Sequence, residues 1–366
     1  MQKEFIDFIQ QHSFETGITG ASFTIQCPTY HNGKEITYNA GHQSKNGKPV
    51  TNKSLYQIGS LSKSFLVVVV LQLEEEGLLN LEDKVAQFFP HDFKKWQDIS
   101  IKKLLNMTSK IPSFTDGNDS DVILELIADP ILNYSSQDIL NLVKDKELNN
   151  LNWEYSNTNY VLAGKIIEKV TGNKLSTEIQ SRILIPLHLK STYYIKSIPK
   201  IDIMFHDLEN LMSGYFYELE GSEKKFNGLD IINLSMSRLK AAGSLISNSS
   251  DINFFIRTLF ESKNFLSRKQ QKKLITMIDQ ATGDELKSTS IPENSLAYGL
   301  GIEAKHHPKF KTLVYGHTGG TFGFQSAMWY IPDKKLSYYF ALNTSHEEAY
   351  NKLELLVEEY IVQRFF

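Results

Sequence analysis

The stretch Gly59-Ser60-Leu61-Ser62-Lys63-Ser64-Phe65-Leu66-Val67-Val68-Val69-Val70-Leu71-Gln72-Leu73-Glu74-Glu75-Glu76-Gly77 holds an unbroken apolar run from Phe65 to Leu71, then three acids and a glycine. Two structures compete for it. Valine is a poor helix former, so a strand ending near Val70 accounts for the four valines. Leu71 to Glu76, however, continue the run without a turn signal as far as a glycine stop. The stretch therefore predicts one buried helix over residues 60–76.

At the start of that helix stands Ser60-Leu61-Ser62-Lys63. A serine hydroxyl is a weak nucleophile and needs a neighbour that removes its proton. Three residues along a helix bring the lysine amine beside the serine. The helix start also offers backbone N–H groups and positive potential, which suit a developing oxyanion. The Ser-x-x-Lys spacing recurs at Ser222–Lys225 and Ser237–Lys240, and taken singly each copy reads as a solvated pair. Only the first follows a strand-like Leu55-Tyr56-Gln57-Ile58-Gly59 and opens an apolar helix, where desolvation depresses a lysine pKa.

Outward from this point, residues 1–12 read as an amphipathic helix. Residues 21–28 and 34–40 read as strands joined by a turn around His31-Asn32-Gly33. Helices are expected over 101–107, 120–128, 136–144, 159–170 and 174–184. The tail returns to strands at 311–317, 324–331 and 335–342. It closes with a helix over 347–365 that carries Leu353, Leu356, Val357, Tyr360 and Ile361 on one side. Residues 204–235 and 280–295 read as polar loops. Strands at both ends with helices between predict an α/β (α+β) fold, an antiparallel sheet completed by both termini and flanked by helices. The expected division is 1–75 with 236–366 as the sheet domain and 76–235 as a mostly helical insertion, the site lying between them.

Composition excludes several functions. The 39 Lys and Arg against 42 Asp and Glu give a net charge of −3, and no basic cluster offers a nucleic-acid footprint. The one cysteine, Cys27, can form no intramolecular disulfide, and its alternation with Ala21, Phe23 and Ile25 places it in the core. No HExxH or similar spacing occurs among the histidines, so neither a catalytic metal nor another cofactor is expected. Phe65–Leu71 is too short to cross a bilayer. The N-terminal residues lack the regions of a secretory signal, which gives a cytoplasmic expectation for the chain as written. It becomes periplasmic or extracellular if a signal was removed before Met1.

Two further elements bear chemistry. Tyr155-Ser156-Asn157, just before a helix, supplies a phenol that can relay a proton and an amide that can orient a lysine and a substrate carbonyl. Its bland reading is a capping turn with a packed aromatic. Gly316-His317-Thr318-Gly319-Gly320-Thr321-Phe322-Gly323-Phe324 ends a strand, and its glycines allow a backbone to approach a ligand and donate to an oxyanion. Its bland reading is a hairpin turn with a structural histidine.

In this order the three elements resemble the motifs of the serine β-lactamase and penicillin-binding protein superfamily, in its class C β-lactamase and DD-peptidase branch. Leu104-Leu105-Asn106-Met107-Thr108-Ser109, Ala241-Ala242-Gly243, Tyr298-Gly299-Leu300-Gly301-Ile302 and Tyr330-Ile331-Pro332-Asp333 extend the likeness from about residue 20 to 345. Lys110 departs from the glycine usual after that Thr-Ser, and Leu148-Asn149-Asn150-Leu151 from a usual Pro-Gly. The resemblance implies an inserted all-helical domain and a nucleophile at Ser60. Lys63 and Tyr155 would share the base and acid roles, and Asn157 would hold the substrate amide. His317 and Thr318 would face the far end of the substrate, with the N–H groups of Ser60 and Gly320 as the oxyanion hole.

A lysine at the position of His317 is the usual β-lactamase choice. The histidine therefore moves the expectation to a D-alanyl-D-alanine carboxypeptidase-like activity, ahead of a broad esterase and then a β-lactamase. Peptidoglycan lies outside the cytoplasm, which opposes the first of these for a chain without a signal. The expected partner is a small-molecule or peptide substrate. A non-catalytic binding or scaffold protein is the reading from another class, and the intact Ser60, Lys63, Tyr155 and Asn157 argue against it.

Overall fold

β-Branched and aromatic residues recur along the strands of the C-terminal third, and there they build the frame of the molecule. A computed structural model describes residues 1–116, 119–195, 209–218, 225–286, 291–293 and 295–366. The first strands are β1 (Gly20–Gln26), β2 (Ile36–Gly41), β3 (Tyr56–Gln57), β4 (Thr192–Tyr194), β5 (Tyr215–Phe216), β6 (Leu229–Asp230) and β7 (Leu245–Ser247). Then come β8 (Ile278–Asp279), β9 (Leu296–Tyr298), β10 (Glu303–His307), β11 (Thr312–Thr321), β12 (Phe324–Ile331) and β13 (Leu336–Leu342). Eight of them form one antiparallel sheet in the order β2-β1-β13-β12-β11-β10-β9-β8.

The N-terminal strand therefore lies beside the last one, with Phe23 opposite Phe340. A buried amide stitches this junction. Asn343 Oδ1 accepts from the N–H groups of Thr19 and Gly20, and its Nδ2 donates to the Ser213 carbonyl. Every residue of β13 is buried, because both faces of the sheet are covered. Alternate positions Leu336, Tyr338, Phe340 and Leu342 pack with Phe5 and Phe8 of α1 (Gln2–Thr16) and with Leu353, Val357 and Ile361 near the C-terminus. Tyr339 and Ala341 face the other core.

That second core is organised by α2 (Ser62–Glu75), in which every residue from Ser62 to Leu71 is buried. A helix that is apolar all round can only be central. Burial, at about 1.5–3 kcal/mol for each valine or leucine, outweighs the few tenths lost to β-branching. The expected helix thus holds, except that Ser60 stands one step earlier, in a 3₁₀ turn over Gly59–Leu61.

Between α2 and β7 the chain forms α3 (Val85–Phe88), α4 (Ile101–Leu105), α5 (Asp119–Ala128), α6 (Ser136–Asn141), α7 (Asn157–Thr171) and α8 (Leu175–Ile179). After β7 come α9 (Ser249–Glu261), α10 (Arg268–Leu274) and α11 (Glu347–Phe365). Phe65 of α2 stacks on Phe255 of α9 with ring centroids 3.7 Å apart.

Some expectations change in detail. The helix expected over 101–107 stops at Leu105, since Met107 adopts a positive φ of 67°. A π turn over Gln180–Leu184 follows α8 and interrupts the helix expected over 174–184. Residues 204–235 are not loop throughout, because β5 and β6 pair within them. Residues 204–208, 219–224, 287–290 and 294 of the expected loops lie outside the described residues.

Candidate active site

Ser60 occupies the tight turn between β3 and α2, and glycine makes that turn possible. Gly59 has φ +52°, and a Cβ there would stand 2.5 Å from the Gly320 carbonyl oxygen and 2.8 Å from the Gly320 nitrogen. Gly319 is equally constrained, since a Cβ on it would stand 2.2 Å from the Ile58 oxygen. The serine turn and the end of β11 thus meet backbone to backbone. Gly320 is exposed, with open space on its Cα.

Lys63 lies one helical turn from Ser60. Its Nζ is 2.9 Å from Ser60 Oγ, 2.7 Å from Asn157 Oδ1 and 2.9 Å from the Ala242 carbonyl oxygen. The amide and the carbonyl can only accept. A neutral amine therefore directs its two N–H bonds at them and turns its lone pair to the serine hydroxyl. Burial pushes the Lys63 ammonium well below the ordinary lysine range, opposed by attraction to Glu303. Those are the electrostatics of a base.

Burial raises the pKa of Tyr155 well above the usual phenol value, opposed by its interaction with Ser60. Asn157 is the first residue of α7, and the loop after α4 holds it. Its N–H donates to Ser113 Oγ and its Nδ2 to Thr115 Oγ1, which leaves Oδ1 for Lys63. Lys110 in this loop has φ +65°, the conformation that favours a glycine. The departure from the family pattern there leaves the backbone in a glycine-like state.

The His317 side chain is buried. Nδ1 lies 2.6 Å from the Thr318 carbonyl oxygen, an acceptor, so Nδ1 carries the proton and Nε2 accepts from Tyr298 Oη at 2.9 Å. Burial, then repulsion from Lys63, lowers the imidazole pKa to about 3. This histidine is neutral at ordinary pH. Beside Thr318 stands the carboxyl group of Glu303, whose Oε1 accepts from Thr318 Oγ1 at 3.2 Å and lies 3.4 Å from His317 Nδ1. Burial raises the pKa of Glu303 to about 7 against these hydrogen bonds and the pull of Lys305 and Lys63.

The other Ser-x-x-Lys copies do not join the site. Ser237 is buried and bonded to the Leu132 carbonyl, Ser235 Oγ and the Tyr134 N–H; Ser222 lies outside the described residues. Among the described residues, no group of three or more His, Cys, Asp or Glu is placed to hold a metal ion, and no helix is long and apolar enough to cross a membrane.

The family model described as Beta-lactamase matches residues 5–360. The chain belongs to the β-lactamase family. Among curated relatives, penicillin-binding protein 4* of Bacillus subtilis is 25% identical over 86% of this chain and 66% of its own length. Protein flp of Staphylococcus aureus is 33% identical over 59% of this chain and 41% of its own. This β-lactamase-family chain thus spans less than two thirds of these relatives. Among solved structures, a D-stereospecific amidohydrolase from Streptomyces sp. is 25% identical, with TM-score 0.73 over 92% of this chain and 94% of that one. An octameric penicillin-binding protein homologue from Pyrococcus abyssi, 24% identical over 97% of this chain and 77% of its own, shares the fold with TM-score 0.76.

Several residues of this β-lactamase-family site were not singled out by sequence reasoning. The Ala242 carbonyl, Ser113, Thr115, Tyr298 and Glu303 all reach it across long sequence separations. Ala242 and Tyr298 lie inside stretches that carry the resemblance, whereas Glu303, two residues after Tyr298-Gly299-Leu300-Gly301, bore no signal of its own.

Proposed function

We propose that the protein hydrolyses amides or esters through an acyl-enzyme on Ser60, and that its preferred leaving groups carry no carboxylate. Ser60 Oγ attacks the carbonyl carbon while its proton passes to Lys63 Nζ. The N–H groups of Ser60 and Gly320 receive the developing oxyanion. Tyr155 Oη protonates the leaving nitrogen or oxygen as its bond to carbon breaks, and regains a proton from Lys63. Water then attacks the ester, the same groups run in reverse, and Ser60 recovers its hydroxyl. Residues 1–75 with 236–366 and residues 76–235 form the two walls of the cleft in this reading.

One observation carries the substrate preference: His317 is buried and neutral, and a carboxylate, Glu303, bonds to Thr318. The cation nearest the leaving-group end, Lys305, is paired with Glu354 rather than free for a terminal carboxylate. The likeness to a D-stereospecific amidohydrolase supports this choice. The D-alanyl-D-alanine carboxypeptidase expected from the sequence becomes the second reading, supported by the penicillin-binding protein names of the relatives.

Turnover of D-amino acid amides, p-nitrophenyl esters, D-Ala-D-Ala peptides and nitrocefin separates the two. Amides or uncharged esters are expected to exceed the carboxylate-ended peptides at least tenfold in kcat/KM. The reverse order would restore the carboxypeptidase reading. A fluorophosphonate is expected to label Ser60, and labelling that survives Ser60→Ala overturns the nucleophile.

A further inference from the structure

Tyr155 and Thr318 of the site also line a cavity of about 330 Å³, bounded by Glu303, by Glu354 of α11 and by Trp153 and Trp329. Its charge is unbalanced. Lys305, the cation of the lining, stands 3.9 Å from Glu354 and 4.7 Å over the Trp329 ring and also attracts Glu303, so one cation is shared between two carboxyl groups. Lys63 on the catalytic side is turned to Ser60, Asn157 and Ala242, and His317 is neutral. The walls add one feature that fits a ligand. Aromatic faces beside a carboxylate stabilise an organic cation, and Trp153 and Trp329 both line this cavity.

We propose that this cavity is a leaving-group pocket selective for a cationic amine, with Glu303 as the specificity-determining residue. The inference rests on the hydrolase reading above and deepens it by naming the leaving group: an amine that carries a second, protonated amino group. Expulsion needs no further reactant, since the scissile nitrogen takes its proton from Tyr155 while the distal ammonium stays paired with Glu303. An anionic leaving group meets the same carboxylate and is rejected, which is selectivity by repulsion as well as attraction.

Two measurements test it, one of them independent of turnover. In the first, D-phenylalanyl amides of cadaverine, n-pentylamine and 6-aminohexanoate give a cationic, neutral and anionic series of similar length. The cationic member is expected to exceed the neutral one at least tenfold in kcat/KM, with the anionic member last. Glu303→Gln should bring the cationic-to-neutral ratio to within about twofold of one. In the second, n-pentylammonium, 1-pentanol and hexanoate are titrated into the intact protein, followed by tryptophan fluorescence and calorimetry. The ammonium should bind most tightly, and at least tenfold more weakly to Glu303→Gln. Binding with that preference but no turnover of any ester or amide keeps the pocket and removes the hydrolase reading. Turnover with equal use of the three amides, or a cation preference that survives both Glu303→Gln and Glu354→Gln, overturns the pocket.

Discussion

Lys63 Nζ lies 2.9 Å from Ser60 Oγ, and its other two partners, Asn157 Oδ1 and the Ala242 oxygen, can only accept hydrogen bonds. Lys63→Arg should therefore be nearly inactive, because guanidinium keeps its proton and does not fit three convergent acceptors. Activity follows the neutral amine, so kcat/KM should rise with pH through a value well below the ordinary lysine range. Glu303→Gln removes an attraction that favours the ammonium, and the rising limb should move to lower pH. Pre-steady-state acylation across pH checks both. A rising limb at an ordinary lysine value, or an active Lys63→Arg, would contradict the role.

Tyr155 acts on Ser60 through its hydroxyl. Tyr155→Phe removes that oxygen and keeps the ring, whose face lies 4.9 Å from Lys63 Nζ. The expected outcome is an unchanged melting temperature and a rate lower by roughly 10²–10⁴-fold, the range for general acid–base catalysis. An ester with a good leaving group should lose less than an amide, since it has less need of an acid.

His317 is held at about 3 in the fold against 6.5 for the free group. Between those values the unfolded chain binds the extra proton. Its contribution to stability is complete above pH 6.5 and is lost as pH falls toward 3. At pH 4.5 the loss is about 2–3 kcal/mol, from two units at about 1.4 kcal/mol each. Glu303 acts in the opposite sense, because a carboxyl raised to about 7 favours the fold at low pH and disfavours it above. Urea unfolding of wild type, His317→Gln, Glu303→Gln and the double variant at pH 7.5 and 4.5 separates the two, because His317 Nδ1 lies 3.4 Å from Glu303 Oε1. The His317→Gln variant should lose less stability on acidification.

Gly59 and Gly77 both have positive φ, but their surroundings differ. A Cβ on Gly59 would strike the Gly320 backbone, whereas one on Gly77 would meet nothing within 4 Å. Gly77→Ala should cost about 1 kcal/mol, the left-handed conformation alone. Gly59→Ala should cost about 2–4 kcal/mol and displace the Ser60 turn from Gly320, so its turnover should fall at least 10²-fold. Thermal melts and acylation rates compare the two. Equal effects would show that the contact with Gly320 carries no weight.

Where local pattern decides structure, the sequence was legible. Strand 324–331 and helix 347–365 coincide with β12 and α11, because alternation and the helical period each report a buried face. The boundaries that slipped have local backbone causes, as at Met107 with its positive φ. In the site, Ser60 and Lys63 are three residues apart on one helical turn, so their meeting could be read directly. The sequence offered Asn157 as an amide able to orient a lysine, but its distance to Lys63 was not legible, since that contact spans the chain from α2 to α7.

The fold class, the central helix and the Ser60–Lys63 pair were thus determined by the sequence itself, through periodicity, burial and a spacing that helical geometry turns into contact. Only the tertiary structure decided the charge of the site. His317 reads as a titratable group that could meet a carboxylate, but Tyr298 Oη and the Thr318 carbonyl engage its nitrogens, and burial keeps it neutral. Glu303 reads as one acid among many until β10 pairs with β11 and brings it to Thr318. Protonation depends on desolvation and on neighbours from distant segments, and those exist only once the chain has folded.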